Sequence, residues 1–129
     1  MFTKKLGTLM YVTDLMKHLS DIGARKEMRK FREQDQGIIS YIGKDDHRAQ
    51  LFLEYTYVGN RVGANVINGI LDHKVIFATW PRKWWLDLWK TLKPFIETER
   101  WRRNDPELYS EFERFVGRIK KQFQSESIG

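Results

Sequence analysis

Apolar residues in the first 36 positions recur mainly at helical spacing. Residues 6–12 are short and mostly apolar, which predicts an edge strand or an extended arm. Thr13 is the expected N-cap of a helix, with the Asp14 carboxylate in its first turn. Gly23 interrupts the apolar stripe that follows, so the pattern predicts one bent helix or two short helices over about residues 13–34. The stripe consists of Leu15, Met16, Leu19, Ile22, Ala24, Met28 and Phe31.

Residues 37–80 change to an alternating pattern that favours strands. Gly59 and Asn60 predict a turn. Asn68 and Gly69 predict a type I′ hairpin turn, which needs positive φ at both positions. With a last strand over residues 75–80, the pattern predicts an antiparallel meander of three to four strands. Alternation is clearest in one predicted strand, where one face carries Leu51, Leu53, Tyr55 and Tyr57.

The last third of the chain again shows helical periodicity. Pro81 suits the first position of a helix, and Pro94 is expected to end or kink that helix. Residues 104–107 predict the start of a second helix, within which Gly117 is expected to allow close packing. The two predicted core stripes are Trp84, Trp85, Leu88, Trp89 and Leu92, then Leu108, Phe112, Phe115, Val116, Ile119 and Phe123.

These elements together predict an α+β fold in a single domain of 129 residues. Its parts are an N-terminal arm and helix (1–36), a β-meander (37–80) and two C-terminal helices (81–129) packed on one face of the sheet. The absence of a long apolar run and of a leader segment predicts a cytoplasmic protein without a membrane partner.

Charge adds a candidate class of partner. The net charge is +6, and the excess lies in residues 1–36, with 8 basic and 5 acidic side chains, and in residues 81–129, with 11 and 8. A positive surface attracts polyanions, so nucleic acid or an acidic protein surface is the expected partner. Zero cysteines exclude disulfides, thiolate metal sites and a cysteine nucleophile.

Motifs for catalysis are sparse, and the sequence predicts no catalytic residues, no cofactor and no metal. There is no phosphate-binding glycine loop followed by Lys-Ser or Lys-Thr, and no pair of histidines at metal-ligand spacing. The Asp45-Asp46-His47 segment is more typical of a polar turn than of a metal site. Asp72 and Lys74, with Glu54 on a neighbouring predicted strand, leave a metal-dependent nuclease as a third hypothesis.

Basic and aromatic residues are instead interleaved in three patches. Arg25, Arg29 and Arg32 share one helix face, opposite or nearly opposite Met28 and Phe31. Arginine binds phosphate through two parallel hydrogen bonds, and a tryptophan ring stacks on bases, so the mixture favours nucleic acid. The predicted nucleic-acid-binding residues are Arg25, Arg29, Lys30, Arg32, Arg82, Lys83, Arg100, Trp101, Arg102 and Arg103.

The leading hypothesis is therefore a small, basic, non-enzymatic protein that binds DNA or RNA through these helical patches. The alternative is a protein-interaction module, such as an inhibitor, adaptor or assembly component, because Trp, Tyr and Arg dominate interface hot spots. The chain carries 5 Trp, 5 Tyr and 8 Phe, and a homo-oligomer formed through surplus aromatic surface is compatible with that load. The residues do not discriminate DNA from RNA.

Overall fold

The computed structural model describes residues 3–128, and this part of the chain contains helices and no strand. The predicted α+β fold with an antiparallel meander is therefore wrong. The helices are α1 (Lys4–Asp21), α2 (Ala24–Arg32), α3 (Ile38–Ile42), α4 (Asp46–Ile67), α5 (His73–Thr79), α6 (Arg82–Arg102) and α7 (Ser110–Ile128).

Helix α4 replaces the predicted strand that contains Leu51, Leu53, Tyr55 and Tyr57, and it forms the centre of the bundle. It packs against α2, α3, α6 and α7, while α1 packs against α2 and α5. The alternating apolar residues of the predicted strand also fit a helix, because intervening positions such as Phe52 and Val58 are buried as well. The buried face runs at i, i+1, i+4, i+7, i+8, i+11 and i+12 through Leu51, Phe52, Tyr55, Val58, Gly59, Val62 and Gly63.

The predicted turn at Gly59 and Asn60 lies in the middle of α4, where it forms the contact with α7. A Cβ atom at Gly59 would lie 2.4 Å from the Phe112 ring, and one at Gly63 would lie 2.8 Å from the Phe115 Cβ. The Asn60 side-chain oxygen accepts a hydrogen bond of 3.1 Å from the Phe112 backbone N–H. These small and polar residues allow two helices to pack closely instead of reversing the chain.

The predicted hairpin at Asn68 and Gly69 is the C-terminal end of α4. Gly69 does have a positive φ of 74°, but it follows a helix. The Ile70 N–H donates to the Asn65 carbonyl at 2.9 Å, and the Gly69 N–H donates to Val66 at 3.1 Å, which is a Schellman motif. The last predicted strand is α5, which begins where the Asp72 carboxylate accepts from the Lys74 N–H at 2.9 Å.

The N-terminal helix starts earlier than predicted. Thr3 is the N-cap of α1, so residues 6–12 are helical rather than an edge strand or arm, and Thr13 is not a cap. The predicted interruption at Gly23 is confirmed, because Gly23 has a φ of 80° and separates α1 from α2. Helix α2 ends at Arg32, before Gly37, which is the N-cap of α3.

The C-terminal helices keep the predicted core but change their bounds. Pro81 precedes α6 as predicted, whereas the helix continues through Pro94 to Arg102. The second helix begins at Ser110 rather than at 104–107. The close packing expected at Gly117 is wrong, because no neighbouring element among the described residues comes within 4 Å of the position that a Cβ would occupy there. Core residues confirmed as buried are Trp85, Leu88, Trp89, Leu92, Phe112, Phe115, Val116 and Ile119. No helix in residues 3–128 is both long and apolar enough to span a membrane.

Candidate functional site

A cavity of about 480 Å³ opens where α1, α2 and α4 meet the corner between α5 and α6. Its walls combine cationic and aromatic side chains over an apolar floor. The lining residues are Met16, Leu19, Arg25, Met28, Arg29, Arg32, Glu33, Tyr55, Thr79, Trp80 and Trp84. This volume lies within the range of roughly 300–1,000 Å³ that is typical of pockets for small molecules.

Helix α2 supplies three arginines to this cavity. Arg25, Arg29 and Arg32 follow one another at i, i+4 and i+7, so their side chains leave the same helix face. The predicted position of Met28 opposite these arginines is wrong, because Met28 lines the same cavity at 5% exposure. Met28 anchors the helix, and the longer arginine side chains extend past it towards solvent.

These arginines make no ion pair with another described residue, and Glu27, the acid within α2, pairs elsewhere. The Glu27 carboxylate accepts from the Tyr41 hydroxyl at 2.8 Å and lies 2.9 Å from the Arg48 Nε. None of the ion pairs between described residues involves Arg25, Arg29 or Arg32. Three positive side chains therefore line the cavity together with one acidic side chain, Glu33.

Tyr55 connects the cavity to the central helix. Its side chain is 5% exposed, and burial raises the pKa of its hydroxyl, while the charges of Arg25, Arg32 and Arg29 act in the opposite direction. All three guanidinium groups therefore act electrostatically on the same hydroxyl. A neutral hydroxyl can both donate and accept hydrogen bonds, so Tyr55 adds a polar group beside the charges.

Tryptophans form another part of the cavity wall. The rings of Trp80 and Trp84 stack with their centroids 5.6 Å apart, and Trp85 meets Trp84 edge-on at 4.9 Å. Trp80 and Trp85 are buried, whereas Trp84 is partly exposed. Trp84 is thus a rigidly supported aromatic surface at the edge of the cavity.

The predicted patch over residues 100–103 does not line this cavity. The Arg100 Nε donates to the Leu108 carbonyl at 2.7 Å, and its Nη2 donates to Glu113 at 2.9 Å. Arg102 and Arg103 both pair with the Glu99 carboxylate, at 2.7 Å and 3.2 Å. Arg100 thus links the end of α6 to the following loop and the start of α7, and the carboxylate partners reduce the charge that all three arginines present. Trp101 between them is 84% exposed.

The remaining predicted residues lie apart from the arginine cluster. Arg82 is partly buried, pairs with Glu126 at 3.4 Å and covers the Phe77 ring at 5.2 Å from its centroid. Lys30 and Lys83 are exposed and neither lines the cavity. The structure therefore brings together three of the ten predicted residues, Arg25, Arg29 and Arg32.

The acids of the nuclease hypothesis serve structural roles. Asp72 caps α5, and Glu54 lies 3.5 Å from the His18 ring and accepts from Gln50 at 3.4 Å. Likewise Asp45 caps α4 by accepting from the Arg48 N–H at 3.1 Å. Across the part of the chain that the structure describes, no three acidic or histidine side chains are grouped so as to hold a metal ion.

Sequence patterns do not predict the aromatic half of the cavity. Tyr55 and Trp80 fall in predicted strands, and Trp84 falls in a predicted core stripe. The available signal was the helical spacing of residues 51–63, which fits α4 as well as alternation fits a strand. With α4 in place, Tyr55 falls on the buried face that packs against α2.

Comparison with known proteins identifies the family but no relative of described activity. The family model described as a domain of unknown function (DUF4760) matches residues 11–119, so the chain belongs to this family. No curated protein and no solved structure matches the chain.

Proposed function

We propose that this member of the DUF4760 family binds single-stranded nucleic acid, with one nucleotide held in the cavity between α2 and the Trp80–Trp84 pair. The observation that carries the proposal is that three unpaired arginines and partly exposed Trp84 line one cavity. Phosphate oxygens would accept hydrogen bonds from Arg25, Arg29 and Arg32, and a base would lie against Trp84.

The arrangement favours a single strand over a duplex. A cavity bordered by aromatic rings accepts a base only when that base is unstacked, and bases in a duplex are stacked and paired. Stacking on an aromatic side chain contributes about 1–3 kcal/mol per base and tolerates any sequence. We therefore propose binding with weak sequence preference, to DNA or to RNA.

The test is the affinity of matched charge variants for a fluorescein-labelled single-stranded oligonucleotide, measured by fluorescence anisotropy. One variant replaces Arg25, Arg29 and Arg32 with Gln. The control replaces Lys90, Lys120 and Lys121 with Gln. These exposed lysines lie outside the cavity, and their replacement removes the same amount of positive charge. Circular dichroism verifies that both variants keep the helical content of the parent chain.

We expect the cavity variant to bind at least about tenfold more weakly and the control less than about threefold, because hydrogen bonds to charged groups contribute more than diffuse attraction. The slope of log affinity against log salt should fall by about 0.7 in magnitude, since the cavity holds one nucleotide and each phosphate contact on a single strand contributes about 0.7. Equal weakening in both variants, or no weakening in either, would show that the cavity is not the binding site.

A second candidate function, contact with an acidic protein surface, is supported by Trp101. This ring is 84% exposed and lies between Arg100 and Arg102 in the chain, and Trp and Arg are residue types that dominate hot spots. The same titration discriminates the two candidates, because Trp101→Ser should leave oligonucleotide affinity unchanged if Trp101 serves a protein partner.

We also propose that the protein acts in the cytoplasm, where it would encounter single-stranded nucleic acid. The absence of cysteine supports this compartment only in that the fold needs no oxidising environment. Cell fractionation with an antibody against the chain would test it, and recovery with membranes or outside the cell would contradict it.

A further inference from the structure

We infer that the cavity binds the phosphorylated end of a strand, where the phosphate is a monoester, rather than a phosphodiester inside the strand. This inference rests on the proposed function and identifies the part of the nucleic acid that enters the cavity. The ligand is a terminal nucleotide whose phosphate has three free oxygens, together with the base of that nucleotide.

Charge balance is the first argument. Arg25, Arg29 and Arg32 bring three positive charges to the cavity and Glu33 brings one negative charge, which leaves a net of +2. A phosphomonoester carries about −1.5 to −2 at pH 7, whereas an internal phosphodiester carries one negative charge. The cavity therefore matches the charge of a terminal phosphate and exceeds that of an internal phosphate.

The hydrogen-bonding capacity of the three arginines also favours a terminal phosphate. Each guanidinium presents donors in a planar fork, and three forks from one helix face supply more donors than the two free oxygens of a phosphodiester can accept in good geometry. A terminal phosphate offers a third oxygen. Tyr55 also lines the cavity, and its hydroxyl would add a further donor to that phosphate.

The shape of the cavity is the third argument. Four of its lining residues are at most 8% exposed, so the cavity has a floor: Leu19, Met28, Tyr55 and Trp80. A recess with a floor accommodates the end of a strand, whereas a continuous strand needs a groove with cations spaced along it. The arginines of residues 100–103, which could have extended such a path, are held by Glu99, Glu113 and the Leu108 carbonyl.

The experiment compares four forms of one short oligonucleotide, each with the same internal fluorescent label. The ends are 5′-hydroxyl, 5′-phosphate, 5′-methylphosphate and 3′-phosphate, and each is titrated with the parent chain and with the variant in which Gln replaces Arg25, Arg29 and Arg32. The methylphosphate has nearly the size of the phosphate but a single charge. Competition by a free nucleoside 5′-monophosphate then discriminates a strand end from a mononucleotide.

We expect a terminal phosphate to tighten binding by at least tenfold over the hydroxyl end, and the methylphosphate to lose most of that gain. The gain should vanish in the arginine variant. Equal affinity for all four ends, with arginine dependence retained, would overturn this inference and leave the proposed function intact. Affinity without arginine dependence would overturn both. If the mononucleotide competes as strongly as the phosphorylated strand, the strand contributes nothing and the inference of an end-binding site fails.

Discussion

Gly59 and Gly117 both lie inside helices, but only Gly59 lies against a neighbouring helix. The Phe112 ring occupies the space that a Cβ on Gly59 would need, at 2.4 Å, and that ring is fully buried. Around Gly117 the corresponding space is open to 4 Å. Glycine is thus required at one position and costs helix stability at the other.

We predict opposite effects of the same substitution at these two residues. Gly59→Ala should lower the free energy of unfolding by about 1–3 kcal/mol, because the core must shift to admit the methyl group. Gly117→Ala should raise it by about 0.5–1 kcal/mol, because alanine has the higher helix propensity. Urea denaturation followed by circular dichroism measures both values, and a shift of the same sign in both variants would contradict the packing described.

Glu27 shows why the available charge of the cavity is difficult to predict at the residue scale. Its place on α2 among five basic residues indicates local ion pairs, and i, i+4 pairing is the usual expectation for a helix. The structure instead directs the carboxylate to Arg48 and Tyr41, residues that are distant in sequence from α2. The number of unpaired arginines is therefore a tertiary property.

At the scale of elements, the sequence predicts amphipathic helices well where polar residues separate the apolar ones. The break at Gly23 is confirmed, and so are the core stripes of α6 and α7 except at Trp84, Leu108 and Phe123, which are partly or fully exposed. Prediction from the sequence fails over residues 46–67, because α4 is buried on several sides and its apolar residues occur at both helical and alternating spacings. Glycines that permit helix contact then resemble turn signals, since the same residue type serves both purposes.

Helix α7 depends on α4 for a hydrogen-bond acceptor to a backbone N–H of its first turn. The Phe112 N–H is in the first turn, where no helical carbonyl accepts it, and it donates to the Asn60 side chain 3.1 Å away. We predict that Asn60→Ala lowers the free energy of unfolding by about 1 kcal/mol, the usual cost of a lost cap.

The matched variant Asn60→Asp retains the acceptor and places a negative charge near the N-terminus of α7, which the helix dipole favours. Its stability should stay within about 0.5 kcal/mol of the parent chain. Thermal or urea denaturation compares the two variants. An Asn60→Asp variant as unstable as Asn60→Ala would show that the hydrogen bond to Phe112 is not the relevant interaction.

At the scale of the whole molecule, the cavity exists only because separate helices meet. Arginines of α2 line it together with Tyr55 of α4, Trp80 between α5 and α6, and Trp84 of α6. Residues far apart in sequence therefore share one recess. The sequence predicts the arginines, because i, i+4 and i+7 spacing needs only local helix geometry. It does not predict their aromatic partners, since those depend on how helices α1 to α7 of the described residues pack.

The central claim is that nucleic acid enters this cavity rather than contacting residues 100–103. Tryptophan indole N–H signals in a ¹H–¹⁵N correlation spectrum test it most directly, because Trp84 and Trp101 report on the two places within one sample. On saturation with a 5′-phosphorylated single-stranded oligonucleotide, the Trp84 signal and the Arg25, Arg29 and Arg32 Nε–H signals should shift while Trp101 stays unchanged. A shift of Trp101 with no change at Trp84 and these arginines would contradict the account.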